Sequence, residues 1–422
     1  MGPHSRPHGA RSTEEGVSTN DMQRGRGTPL GLLAGGGLAL ALAMGIGRFA
    51  YTPILPAMEA AAQLGTKQAG LLASANYAGY LLGALAAAAI TRGAMRGRVL
   101  VVSLVGVVVT TALMAGTTSL AAWGIIRFLS GLASAGVFVL ASSSVLDALR
   151  HQGRTSLSGW LYSGVGLGIA LSGVVVRVGG GRLGWRGDWI VLALLAGIAL
   201  YPSSRWLLLA RERATPTAWE RPRMGRRVRA ALVLLLLAYF LEGTGYIVTG
   251  TFLVAIVDGM PGLGEFGPNV WIVVGVAAAP SGVVWARLAG RLGYAPALTL
   301  AYAVQACGIA LPVLGGAWAA CLSAILFGGT FIGISTLTLT LAGEIAAPRS
   351  AGLIGLLTAA FGLGQIAGPL LAGFLMGHAP AFGPALMVAA AIVLLGSMLT
   401  AACGWAIPSA TAERTRGSSV RR

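Results

Sequence analysis

Lysine is almost absent from this chain. Of its 30 basic residues only Lys67 is a lysine, and charged residues of both signs make up 10% of 422 positions. With 55% hydrophobic residues and a mean hydropathy of +0.77, too little polar surface is available to cover a soluble domain of this length. Acids are scarcer still, 13 in all, leaving a net charge of +17. The basic residues sit in short runs between apolar segments, without a zinc, homeodomain or RRM pattern, and this excludes a nucleic-acid partner. The three cysteines, Cys307, Cys321 and Cys403, lie in apolar segments without metal-ligand spacing, so neither a disulfide framework nor a zinc site is expected. All four histidines, His4, His8, His151 and His378, fall in tails or loops. No serine, histidine or cysteine constellation stands within an apolar segment, which argues against an enzyme, whether membrane hydrolase or metalloprotease. No metal or cofactor is expected, and the short tails offer no output domain for a sensor.

What remains is a series of apolar segments, each near the roughly 20 residues needed to cross a hydrocarbon core of about 30 Å. They read as helices near 30–55, 67–90, 98–116, 119–146, 155–178, 186–209, 230–257, 269–290, 296–315, 317–342, 350–376 and 384–406, twelve in all. The first is expected to end at Pro53 and Pro56. The expected fold is an all-α membrane protein with two six-helix bundles, 30–209 and 230–406. Residues 1–29 and 407–422 form cytoplasmic tails, the first disordered, and 210–229 forms a basic cytoplasmic linker. With the N-terminus inside, 24 of the 30 basic residues fall in inside loops and tails and four outside, as the positive-inside rule requires. The linker, ARERATPTAWERPRMGRRVR, carries seven of these arginines. An excess of Ala, Gly and Arg fits a bacterial genome rich in GC, and hence a multi-pass protein of the bacterial inner membrane.

The two halves echo each other. Tyr51 repeats as Tyr246, Arg92 as Arg287 and Arg96 as Arg291 at a spacing of 195, while Gly166 and Gly168 repeat as Gly362 and Gly364 at 196. Such agreement points to parallel internal repeats. SGVGLG, Ser163 to Gly168, resembles a phosphate loop only superficially, since no strand precedes it. Helix contacts explain these glycines better, as they do the pairs Gly79 with Gly83, Gly329 with Gly333 and Gly364 with Gly368.

Charges within the apolar segments mark the candidate site, because an Arg at the bilayer centre costs at least roughly 2.5–3.5 kcal/mol and normally faces a wet cavity or a partner. Arg48 interrupts GIGRFAYTPILPAM, Arg127 lies in RFLSGLASA, and Glu242, in YFLEGTGYIVTGTFL, is the one acid deep in a predicted helix. Their depths are similar, Arg48 roughly 27 Å and Glu242 roughly 18 Å from the inside ends and Arg127 roughly 12 Å from the outside end. The sequence therefore predicts a shared cavity with one acid and two bases, the surplus cation attracting an anionic group. Glu242 is the candidate proton carrier, the alternative being a permanently paired structural acid. For the arginines the alternative is that one neutralises Glu242 and the other binds backbone carbonyls. Tyr51, Asn76, Tyr77, Tyr80, Tyr246 and Gln365 supply hydrogen-bonding groups at similar depth. An amide such as that of Gln365 must find a partner in hydrocarbon.

The stretches GIGRFAYTPILPAM, SANYAGYLLGAL, EGTGYIVTGTFL, LFGGTFIGI and FGLGQIAGPLLAG resemble the YbfB/YjiJ-like branch of the major facilitator superfamily. The resemblance implies a secondary transporter working by alternating access; the surplus of intramembrane arginine adds the expected cargo, a small organic molecule, an organic anion or, in the alternative, an amphiphilic drug-like compound, and a monomer is expected. RFLSGLASA resembles the superfamily's fourth-helix motif and so implies a part for Arg127 in proton coupling. The loop after the second helix, TRGAMRGR, keeps the arginines of the superfamily's loop motif but lacks its Asp, and its echo RLAGRLG has Gly290 in that place. Arg92, Arg96, Arg287 and Arg291 are thus gating candidates without their acid, equally available to helix ends or lipid. The implied partners are the substrate, protons and membrane lipids.

Overall fold

A computed structural model describes residues 2, 29–90, 93–152, 154, 157–179, 182–209, 225–346, 350–376 and 382–406. Most of the basic linker, both tails and Arg92 lie outside the described residues. Among the described residues twelve helices are long and apolar enough to cross a membrane, and no strand is present. They are α1 (Leu30–Ala62), α2 (Thr66–Ala88), α3 (Met95–Gly116), α4 (Leu120–Leu149), α5 (Gly159–Gly179), α6 (Gly184–Leu208), α7 (Arg226–Asp258), α8 (Gly267–Leu292), α9 (Tyr294–Leu314), α10 (Gly316–Ile345), α11 (Gly355–Leu375) and α12 (Gly383–Ala406). The number agrees with the sequence reading and most ends agree within a few residues. Helix α7 starts at Arg226, so the last arginines of the predicted linker already belong to it.

Helix α1 is the main departure. It runs on to Ala62 and does not stop at its prolines. The chain first loosens into a π-type turn over Ala41–Ile46, where Gly47 N donates to Leu42 O and Phe49 N to Met44 O, each at 2.9 Å. Pro53 has no N–H for the Phe49 carbonyl, and Thr52 N takes its place at 3.2 Å. Pro53 falls in the first turn of the regular segment that restarts at Tyr51, where a missing N–H costs little, and a neighbouring helix serves the carbonyls of Gly47 and Arg48.

Helix pairings repeat after six. α2 packs on α4 as α8 packs on α10, α1 on α5 as α7 on α11, and α3 on α6 as α9 on α12. Across the bundles α5 packs on α8 and α2 on α11, again equivalent pairs. The glycine echo follows this symmetry. A Cβ on Gly168 would meet Ala41 and Gly45 of α1, and one on Gly364 would meet Phe240 and Thr244 of α7. Gly166 instead faces Gly275 and Ala279 of α8, and Gly362 faces Leu81 of α2, each in the other bundle. One glycine of each pair closes its own bundle and the other closes the interface, as small residues do where backbones approach. Gly79 and Gly83 of α2 likewise face α4 and Gly368 of α11 faces α7, but Gly329 meets nothing within 4 Å; Gly328 and Gly333 make the contacts of α10, against Val274 and Trp285 of α8.

Candidate functional site

The irregular turn of α1 sets the site. Its carbonyls need partners from outside the helix, and α4 supplies them. Ser130 Oγ donates to Gly47 O at 2.8 Å, and Arg127 Nη2 reaches the Arg48 carbonyl at 3.5 Å. Arg127 is 1% exposed, its guanidinium 4.5 Å from the Tyr51 ring centroid. Tyr51 OH donates to Ala69 O at 3.1 Å, and Asn76 Nδ2 donates to the Arg127 carbonyl at 2.9 Å. Arg127, Tyr51 and Asn76 therefore fasten α1, α2 and α4 together. Of the two readings open for the arginines, Arg127 follows the carbonyl-binding one.

Arg48 points the other way, across the interface. Its Nη2 donates to Gln365 Oε1 of α11 at 2.6 Å, and Gln365 Nε2 donates to Tyr246 OH of α7 at 2.6 Å. The guanidinium lies 4.3 Å from the Tyr80 ring centroid, 4.7 Å from Tyr77 and 5.2 Å from Phe49, so it is held among aromatic faces that attract a cation. Its Nε has no hydrogen-bond partner. Tyr77 OH and Thr251 Oγ1 of α7 share a hydrogen bond at 3.3 Å.

Five aromatic rings that the sequence reading left out complete the wall. Tyr246 stacks on Phe361 at 5.4 Å, Phe331 at 6.0 Å and Phe327 at 6.2 Å, and Phe49 meets Phe331 at 6.1 Å and Trp271 at 6.4 Å. Phe327 and Phe331 stand four apart on α10, one helical face, a spacing visible in LFGGTFIGI.

Glu242 does not join this group. It is 1% exposed with Oε2 unpartnered, and it lies beside Gln305 of α9, within the C-terminal bundle. Neither arginine pairs with it; all described partners of Arg48 and Arg127 are neutral. The predicted cavity of one acid and two bases resolves into two places. One is a cationic aromatic site at the interface and the other is an isolated acid, one helical turn before Tyr246. Of the gating candidates, Arg96 donates to Ser143 Oγ on α4, whereas Arg287 and Arg291 are exposed on α8.

A family model described as "Uncharacterised MFS-type transporter YbfB" matches residues 40–401. The chain belongs to this family of major facilitator transporters. A "Chloramphenicol resistance protein" of Streptomyces lividans is 29% identical over 384 residues, 85% of this chain and 94% of that protein. The nucleoside transporter NupG shares the fold, with a TM-score of 0.68 at 12% identity over 89% of this chain and 98% of its own. A point mutant of NupG gives 0.69 at 14%, over 89% and 99%. The YbfB-type chain is thus a multi-pass membrane protein of transporter fold, and the resemblance read from its helices holds at the level of the family.

Proposed function

We propose that this YbfB-type protein is a secondary active transporter of the bacterial cytoplasmic membrane. It moves a small organic molecule with an anionic or strongly accepting group by alternating access. The observation that carries this reading is Arg48, a cation buried at the bundle interface whose guanidinium reaches Gln365 in the opposite bundle. A carboxylate or similar group can replace Gln365 on the guanidinium and also take its free Nε–H, turning a neutral contact into a charge-assisted bidentate one. The aromatic wall suits an apolar body attached to that group.

The bundles are bonded to each other at the end where α1 leaves its π-type turn. The Tyr51–Ala62 part of α1 packs on α7, and Thr52 Oγ1 donates to Gly250 O at 2.6 Å. Ser74 Oγ donates to Ile366 O at 2.9 Å, and Gly70 lies against Pro369. Rocking one bundle on the other must break these bonds as α4 and α10 approach. With the N-terminus cytoplasmic, the closed end is the outer one. Thr52→Val removes one bond worth about 1 kcal/mol, so it is expected to shift the population outward by roughly fivefold. Labelling rates of an outer-facing cysteine reporter measure this; an unchanged rate counts against the gate.

Glu242 is proposed to take up and release the coupling proton. Glu242→Gln is expected to flatten the pH dependence of uptake into proteoliposomes, and a mutant that keeps the wild-type profile removes Glu242 from coupling. Export of amphiphilic drug-like compounds is the second reading, favoured by the chloramphenicol resistance relative. Ligand-induced thermal stabilisation of the purified protein decides between them, screened at two pH values against organic acids, amino acids, sugars, chloramphenicol and amphiphilic cations. A carboxylate hit that depends on Arg48 supports the first. Hits confined to amphiphilic compounds and indifferent to Arg48 replace it with the second.

A further inference from the structure

A second gathering of unpartnered buried polar atoms lies inside the C-terminal bundle. Glu242 Oε2 of α7, both amide atoms of Gln305 and the Tyr302 hydroxyl of α9, and Thr338 Oγ1 of α10 all lack a hydrogen-bond partner. Glu242 is 1% exposed and the other three 0%. They are neighbours. Gln305 adjoins Glu242, and Tyr302, three residues before Gln305 on the same face of α9, faces Glu242 and adjoins Thr338. Neighbouring side chains that leave these atoms unsatisfied are open to a further ligand. An unsatisfied buried group is costly, which makes several of them in one place a poor packing solution.

The chemistry of the set narrows the occupant. The neighbours offer three kinds of oxygen, carboxylate, amide and hydroxyl, with a single negative charge. Among the described residues no group of three or more His, Cys, Asp or Glu side chains could hold a metal ion, so a transition metal or a calcium ion lacks its ligands. One carboxylate with neutral oxygens balances a monovalent cation, and few donors in a close-packed interior fit the smaller alkali ion. We propose that Glu242, Gln305 and Tyr302 bind a sodium ion within the C-terminal bundle, with Thr338 orienting Tyr302. The binding itself does not depend on the transporter reading; only its consequence does. Glu242 precedes Tyr246 by one turn, and Tyr246 holds Gln365 on Arg48, so an ion at Glu242 acts on the substrate site through a single turn of α7. Proton and sodium use the same carboxylate oxygen and exclude each other there.

The test melts the intact purified protein at pH 8 in choline chloride, with NaCl or KCl substituted at constant ionic strength. NaCl is expected to raise the melting temperature saturably by several degrees and KCl far less. Glu242→Gln is expected to lose the sodium shift while still melting cooperatively in choline chloride. Gln305→Leu is expected to need at least about tenfold more sodium for half the shift. Should Glu242→Gln not fold, Gln305→Leu together with radioactive sodium binding to the wild type carries the same test. No sodium shift in the wild type, equal shifts with both salts, or an unchanged sodium midpoint in both variants overturns the site. Arg48→Ala is expected to keep the sodium shift, so failure of the substrate site and failure of the sodium site are read separately.

Discussion

Arg48→Ala is expected to abolish ligand-dependent stabilisation and transport together, lowering affinity for the cargo by at least about 10–100-fold. That range is the equivalent of the roughly 1.5–3 kcal/mol carried by a hydrogen bond to a charged group. The loss has three sources in the structure. The guanidinium is a buried charge aimed across the interface, it is held among the rings of Phe49, Tyr77 and Tyr80, and it orients Gln365, which in turn holds Tyr246. Arg48→Lys is expected to recover little, because an ammonium offers no planar fork with which to hold Gln365 and a carboxylate at once. Melting temperature without ligand is a poor readout, since the substitution removes a costly buried charge as well as its contacts. The decisive measurement is the ligand-induced shift, and a shift within threefold of the wild type in Arg48→Ala would sink the assignment.

Gly131→Val is expected to be the most damaging substitution in the fold. A Cβ at Gly131 would fall on the backbone carbonyl of Asn76, and one at Gly79 would fall on that of Phe128, so α2 and α4 meet backbone to backbone from both sides. Overpacking costs typically about 1–3 kcal/mol where side chains can shift; here main chain must separate from main chain, which places the cost at the upper end or beyond. The same separation pulls Asn76 from the Arg127 carbonyl and unsettles the α4 contacts that serve the α1 turn. Gly124→Ala, on the same helix with nothing within 4 Å, is the control and is expected to melt at or slightly above the wild-type temperature. Thermal melting of the two variants side by side checks this, and a Gly131→Val protein as stable as the control overturns it.

The amino-acid sequence alone determined the class, the number of spans and which charges fall within them. Hydrocarbon imposes these locally: about twenty apolar residues are needed per crossing, and a group such as Arg48, Glu242 or Gln365 is expensive enough there to announce itself. It also determined the internal repeat, since Gly168 and Gly364 occupy equivalent contacts 196 residues apart. Tertiary structure decided the partners. Arg48 and Gln365 are 317 positions apart, and no spacing rule joins them. Arg127 turned to the Arg48 carbonyl because the irregular stretch of α1 leaves oxygens unserved, which no local sequence rule foretells. Position along one helix gives Glu242 an expected depth close to that of the two arginines, yet it lies within the other bundle, because lateral distance depends on how all twelve helices pack.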